Sequence, residues 1–298
     1  MGKKNRKITH FFDGIGISLG NLTPLAHKTG AFGRIVIFRH PELGKIFVMN
    51  GEVQHVEAWA PLYHEPLVHL SAAFVDTVQD VAILGGGTLY AAAEVLKYRS
   101  VKRIILFDHN PKVPQMAAEH YDHARACFAD KRFTVVHGDA YSAMAGIQNQ
   151  FDLIINDGAD LITASNAPKK KGGQLDLFRA MTRALKPAGV CADVVFRHVF
   201  ERKRTIHTMR RLQNRTRFAL SLVFLPEYHG VLHVLCTWGK QSSNVSQTIT
   251  EPLNKEQKGW ARRPATSPCS YYDPRFMRYY LYLPNYVKTA LSAKSMNV

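Results

Sequence analysis

The chain has 298 residues, 46% of them hydrophobic, and carries 39 Lys and Arg against 23 Asp and Glu, a formal net charge of +16. That length buries a full core, and the composition excludes a disordered polypeptide; no apolar run is long enough to span a bilayer as a helix. The charge would suit nucleic acid, but no nucleic-acid motif accompanies it, so it reads as a basic solvated face and nucleic acid is not an expected partner. Residues 1–7 have no apolar signal core behind them, and Arg6 stands where a myristoylation motif beginning at Gly2 wants Ser or Thr. Cys127, Cys191, Cys236 and Cys269 form no CxxC pair and read as buried free thiols in a reducing cytoplasm, not as zinc ligands.

In chain order, residues 8–57 read as a small antiparallel β unit. Strand-like runs at 34–38, 45–49 and 52–56 are separated by His40-Pro41-Glu42-Leu43-Gly44 and by Asn50-Gly51, both hairpin connections. A sheet of that size is not stable alone and should pack on a larger unit. Residues 61–74 read as a helix with Pro61 in its first turn. Alternation follows: strand 80–84, helix 88–97, strand 103–107, helix 112–128, strand 133–137, helix 140–147, strand 151–155. Such alternation predicts βαβ units and a parallel sheet. Residues 157–173 read as a functional loop carrying Pro168 and Lys169, Lys170 and Lys171. A helix (175–186), a strand (189–196), a basic helix (199–213) and an antiparallel hairpin (218–224 with 231–235) come next. Residues 240–270 read as mostly irregular, and order returns near Leu283-Pro284-Asn285-Tyr286 with a short helix behind it. The expected division is a β-hairpin domain over 1–60 and a nucleoside-binding domain over 61–298.

The candidate site lies where these strands end. Gly85-Gly86-Gly87 leaves a buried strand and opens a helix, letting a nucleoside approach the backbone closely. Leu89 and Tyr90 follow Thr88, so this is not the dinucleotide fingerprint. Asp108, about 20 residues further on, can take both ribose hydroxyls, or simply face a helix N-terminus. Asp139 can accept from an adenine amino group, or cap the helix that begins near Ala140. Asp157 and Asp160 follow a buried strand, and together they can hold an ammonium and remove its proton; an Asp- and Gly-rich turn is the plainer alternative.

Taken together, these motifs resemble the spermidine synthase family of aminopropyltransferases. The likeness runs over nearly the whole chain: Asn50-Gly51-Glu52-Val53-Gln54, Tyr63-His64-Glu65 with His69-Leu70, Gly85 to Gly87, Gly138-Asp139, the pair Asp157 and Asp160, Pro226-Glu227-Tyr228, and Tyr271-Tyr272-Asp273-Pro274 through Tyr286. The resemblance implies a small N-terminal antiparallel β domain on an α/β, methyltransferase-like Rossmann domain with a seven-stranded sheet. It implies transfer of the aminopropyl group of decarboxylated S-adenosylmethionine to an amine, with no metal. By the same likeness Asp157 would be the base, with Asp160, Tyr63, Glu227 and Tyr228 around the acceptor. Gln54, His64, Gly85, Gly86, Gly87, Thr88, Asp108, Asp139 and Ala140 would surround the donor. The expected partners are a small amine or amino acid and copies of the chain itself, as a dimer or tetramer.

Four departures matter. Thr88 replaces the aspartate that follows the family's glycines, Asp108 replaces a glutamate, Leu161 a proline and Met277 a histidine. Thr88 and the three lysines together raise a donor or acceptor that bears a carboxylate, such as intact S-adenosylmethionine. Two other readings therefore stand: transfer of a methyl or aminocarboxypropyl group from S-adenosylmethionine, and a non-catalytic relative that binds a nucleoside or a polyanion.

Overall fold

The structure is a computed structural model that describes residues 6–12, 15–158, 173–197, 216–229, 232–241, 245, 253–285 and 287–288. The chain opens with β1 (Arg6–Phe12), β2 (Ile15–Gly30), β3 (Gly33–His40), β4 (Gly44–Met49) and β5 (Glu52–Val56). These pair in sequence order as an antiparallel sheet. Three of the strands match the sequence expectation. The β1–β2 ribbon does not appear in it, because β2 contains Gly20, Asn21 and Pro24, residues that normally end strands. The strand absorbs them by placing Asn21 at φ 54 and by shifting register between Pro24 and Ala26. At the Asn50-Gly51 turn both residues have positive φ, 54 and 86, which matches the twist of the flanking strands.

Helix α1 (Ala60–Ala72) begins with a proline in its first turn and holds Pro66 in its interior. Pro66 removes one helical hydrogen bond, a loss offset by burial, since every residue from His64 to Ala72 is buried. The chain then alternates through β6 (Asp80–Gly85), α2 (Tyr90–Leu96), β7 (Arg103–Asp108), α3 (Lys112–His120), α4 (Asp122–Ala129), β8 (Phe133–His137), α5 (Ala140–Ala145) and β9 (Phe151–Asp157). It continues with α6 (Gly173–Ala184), β10 (Leu185–Arg197), β11 (Phe218–Phe224), β12 (Leu232–Gly239), α7 (Lys255–Arg262) and α8 (Met277–Tyr280).

Seven strands form the large sheet, in the order β11-β12-β10-β9-β6-β7-β8. The run from β10 to β8 is parallel, and β12 and β11 add an antiparallel edge. Order in space reverses at β6, whose neighbours are β7 on one side and β9 on the other. That reversal is the topological switch point where open α/β sheets bind ligands. Ile35, Ile37 and Phe47 of the small sheet share one buried cluster with Leu67, Val81 and Leu153, so the small sheet completes the core of the large one. The opposite face buries Leu84, Ile154, Met181 and Trp238 with Leu283 of the tail.

Two local expectations are corrected. The helix read over 112–128 is two helices, parted at Tyr121, whose backbone is extended (φ −119, ψ 132) and whose ring is fully buried. Burying that ring outweighs continuing a regular helix. Among the described residues of 240–270, which leave out 242–244 and 246–252, irregular structure does not prevail: α7 stands there, capped by the Asn254 side chain, which accepts from the Gln257 N–H. The basic helix at 199–213 and the lysines at 169–171 lie outside the described residues, whereas the short helix expected behind Leu283-Pro284-Asn285-Tyr286 begins in them: Asn285, Val287 and Lys288 are helical, and the Val287 and Lys288 N–H groups donate to the Pro284 carbonyl. All four cysteines are free, three of them buried. No helix among the described residues is long and apolar enough to cross a membrane.

Candidate active site

The glycine turn is built by contact with the strand-end acids. Gly85 and Gly86 have φ +76 and +69, where a side chain is strained. A Cβ on Gly86 would sit 2.6 Å from Asp157 Oδ2, and one on Gly87 2.5 Å from Asp108 Oδ2. The turn is therefore pressed between two carboxylates, and only glycine allows the approach. Gly85 stands beside Asp157 in the β6–β9 register, which puts both at the same level of the sheet edge. Leu89 takes the left-handed conformation (φ 68) although it has a side chain, and it is fully buried. Strain of this kind persists only where the surroundings enforce it. His123 helps: its Nε2 donates to the Thr88 carbonyl at 2.9 Å, tying α4 to the turn.

Asp108 is buried at the end of β7 and accepts from the N–H groups of Asn110, at 2.8 Å, and Gly87. Burial pushes its carboxyl above the usual carboxylate range, and these two bonds restrain the rise. Asp139 accepts from the Ser142 N–H at 3.0 Å and from the Ser142 hydroxyl at 2.7 Å, so it caps the first turn of α5, which opens at Ala140. Gln54 donates to the Glu52 carbonyl at 3.5 Å; the neighbouring His55 is the residue of β5 that packs on Tyr90, with ring centroids 4.0 Å apart.

Asp157 is the most closely surrounded of the strand-end acids. Its side chain is only 8% exposed, and His64 Nε2 lies 3.7 Å from its Oδ2. Tyr63 donates a hydrogen bond to it. Burial pushes the Asp157 carboxyl upward, His64 and Tyr63 pull it back, and the charge of Asp108 adds to the rise. A carboxylate moved toward neutrality is a better general base at neutral pH. Tyr63 and His64 reach it from the first turns of α1, more than 90 residues earlier in the chain. Tyr228, in the turn between β11 and β12, stands close enough to raise the Tyr63 hydroxyl, and its ring lies edge-on to His10 at 5.6 Å. Asp160 lies outside the described residues.

Asp193, His10 and Tyr90 stand at the site without a sequence signal for it. Asp193 of β10 is buried, accepts from Asn156 at 3.0 Å and bears on Tyr63. His10 comes from the ribbon that sequence reading missed. Tyr90 stacks on His64 at 5.2 Å and 24°. Glu65 points away from Asp157 and receives the N–H groups of Ser270, Tyr271 and Tyr272 at 2.7, 2.7 and 2.6 Å. His69, Glu94 and Cys269 bring N, O and S donors within 4.8 Å of one another. His69 Nε2 already pairs with Glu94 at 2.9 Å, its Nδ1 with the Tyr98 hydroxyl at 2.9 Å, and Lys97 Nζ sits 2.5 Å from Glu94. Lysine supplies the positive charge there.

Glu227 is 4% exposed, and its Oε2 has no hydrogen-bond partner among the described residues. Burial pushes its carboxyl up to about 7 from 4.5. Below the unfolded value the group is neutral in both states and costs nothing. Between 4.5 and about 7 the unfolded chain releases this proton while the folded one still holds it, so stability falls across that window and levels off above it. Glu227→Gln removes that penalty, and it is expected to gain about 2–3 kcal/mol more at pH 8 than at pH 5. Urea unfolding at the two pH values measures the difference, and an equal gain at both would refute the reading.

A family profile described as "Spermine/spermidine synthase domain" matches residues 60–248. The chain is 26% identical over 266 residues to putrescine N-methyltransferase 2 of Nicotiana attenuata, covering 87% of this chain and 69% of that protein. It is 31% identical over 159 residues to polyamine aminopropyltransferase 1 of Aquifex aeolicus, covering 53% of this chain and 55% of that one. The spermidine synthase of Thermotoga maritima superposes with a TM-score of 0.81 at 22% identity, over 98% of this chain and 97% of that one. A spermidine synthase in complex with the transition state analogue AdoDATO superposes with a TM-score of 0.82 at 23% identity, over the same shares.

Proposed function

The chain belongs to the spermine/spermidine synthase family and is a transferase, and from that premise we propose that it moves the aminopropyl group of decarboxylated S-adenosylmethionine onto a small amine. The observation that carries the reading is Asp157: a buried carboxyl at the switch point of the sheet, bonded by Tyr63 and held against the glycine turn. An ammonium has no lone pair, so the acceptor must lose a proton before its nitrogen can attack. Asp157 takes that proton, the nitrogen forms a bond to the sulfonium-bound carbon, and the carbon–sulfur bond breaks to leave a neutral thioether. Gln54, His64, Asp108, Asp139 and Ala140, with Gly85, Gly86, Gly87 and Thr88, surround the donor in this reading. Tyr63, Glu227 and Tyr228 line the acceptor side together with Asp160. The division into domains near residue 60 belongs to the same proposal and is supported by the antiparallel sheet ending at Val56. So do the cytoplasmic setting and assembly as a dimer or tetramer.

Methyl transfer is the second reading, and one observation favours it: the Nicotiana N-methyltransferase aligns over 87% of the chain, the Aquifex aminopropyltransferase over 53%. The same sulfonium offers more than one carbon, and geometry decides which is attacked. Incubation with each donor and a panel of amines and amino acids, read by mass spectrometry, separates the two. Methylthioadenosine is the expected by-product. S-adenosylhomocysteine would replace the first reading with the second, and no turnover of either donor would refute both.

A further inference from the structure

The two ring nitrogens of His64 have different partners. Nδ1 lies 3.0 Å from the Ala60 carbonyl, which can only accept, so Nδ1 carries the hydrogen. In the neutral ring Nε2 is then a bare lone pair, and it faces Asp157 Oδ2 at 3.7 Å. A carboxylate oxygen and an imine nitrogen repel one another when neither holds a hydrogen. The arrangement is attractive when the pair holds one proton, either on the oxygen or on the nitrogen.

The groups that face His64 leave this exchange to Asp157. Tyr63, from α1, lies edge-on at 4.8 Å, and Tyr90, from α2, stacks on the ring. Burial pushes both hydroxyls far above neutrality. His55, from β5, lies 5.8 Å away, and His123 bears on the ring from α4; burial pushes both imidazoles down, toward the neutral form. Asp108, from β7, acts through Asp157, and Asp193, from β10, through Tyr63. Among the described residues these are the titratable groups around the ring.

We propose that His64 and Asp157 work as a one-proton couple, in which the proton Asp157 takes from the acceptor nitrogen passes on to His64 Nε2. The inference rests on the reading of Asp157 as the base. In the first step an N–H bond of the acceptor ammonium breaks and an O–H bond forms on Asp157. In the second the O–H bond breaks and an Nε2–H bond forms, which leaves an imidazolium beside a restored carboxylate. The imidazolium gives its proton to solvent after product leaves. The gap must shorten by roughly 0.8 Å to reach hydrogen-bond length, a tightening usual between a free site and its substrate complex. His64 acts here through Asp157 and is a positioning residue for it.

His64→Gln separates the roles, because a glutamine amide can still donate to Asp157 but cannot take a proton. We expect kcat at saturating donor to fall about 10- to 100-fold, beyond any change in donor KM that comes from altering a residue beside the donor. A raised donor KM with an unmoved kcat would leave His64 with donor binding alone and overturn the couple. Should His64→Gln fail to fold, His64→Ala assayed with added imidazole reads the same point: rescue supports the couple and its absence overturns it. Asp157→Asn keeps the two failures apart. If that variant turns over fully, the base reading itself falls; if it is inactive while His64→Gln behaves as wild type, only the couple falls.

Discussion

Asp157→Asn is expected to lower kcat about 10³-fold, the range general-base removal spans, while donor affinity stays within a few-fold. Asparagine matches the shape of the carboxyl and can still receive the Tyr63 hydrogen bond, so the turn at Gly86 keeps its contact. What it cannot do is accept a proton from an ammonium. The same substitution is expected to raise thermal stability at neutral pH. Burial has pushed the Asp157 carboxyl upward, so its charged form is less stable folded than unfolded. That penalty is absent at low pH, where the group is protonated in both states, grows as pH rises from the unfolded value toward the folded one, and is constant above it. A variant that loses turnover and gains stability is the signature of a site strained for function. Steady-state kinetics with a melting curve at pH 5 and pH 8 measures both. Full turnover would remove Asp157 from the chemistry, whichever group is transferred.

Glu65→Ala is expected to destabilise the protein by about 3–5 kcal/mol, the cost of leaving three backbone N–H groups without the carboxylate that receives them, at about 1–3 kcal/mol each. Glu65 is 1% exposed and takes three consecutive backbone N–H groups of residues 270–272, with Lys97 Nζ 3.8 Å from its Oε1. One carboxylate thus pins the tail to α1, two residues from Tyr63. Losing it should free the tail, so proteolysis near residues 263–271 should quicken before global unfolding. Denaturant unfolding and limited proteolysis together test this, and a loss under 1 kcal/mol would mean the tail is held by its buried rings instead. Tyr272 is the ring best placed to do so, being 1% exposed against His69 at 5.3 Å.

Legibility followed distance along the chain. The strands β6, β7, β8 and β9 were readable because each is a short apolar run that gives way to a glycine or a carboxylate. Such runs carry their signal within about eight residues. Where one residue answered to tertiary contacts, local reading failed. Tyr121 broke a helix because its ring was needed in the core. Gly20, Asn21 and Pro24 hid β2 because neighbouring strands, not local propensity, hold it extended. α7 was concealed by a polar sequence whose buried contributions are Asn254 and Gln257, both bonded back to the α1 region.

At the site the division is the same. The glycine turn, Asp108, Asp139 and Asp157 are set by sequence alone, since each ends a strand and a parallel sheet brings strand ends to one edge. The positive φ of Gly85 and Gly86 and their approach to a carboxylate follow from having no side chain. What only the tertiary structure decided is the company Asp157 keeps. Its burial, the hydrogen bond it receives from Tyr63 and the imidazole of His64 beside it come from a helix far back in the chain, with Asp193 and Tyr228 bearing on Tyr63. No spacing rule reaches across that distance. A carboxylate becomes a base through what lies within a few ångströms of it in space, and only the folded chain specifies that.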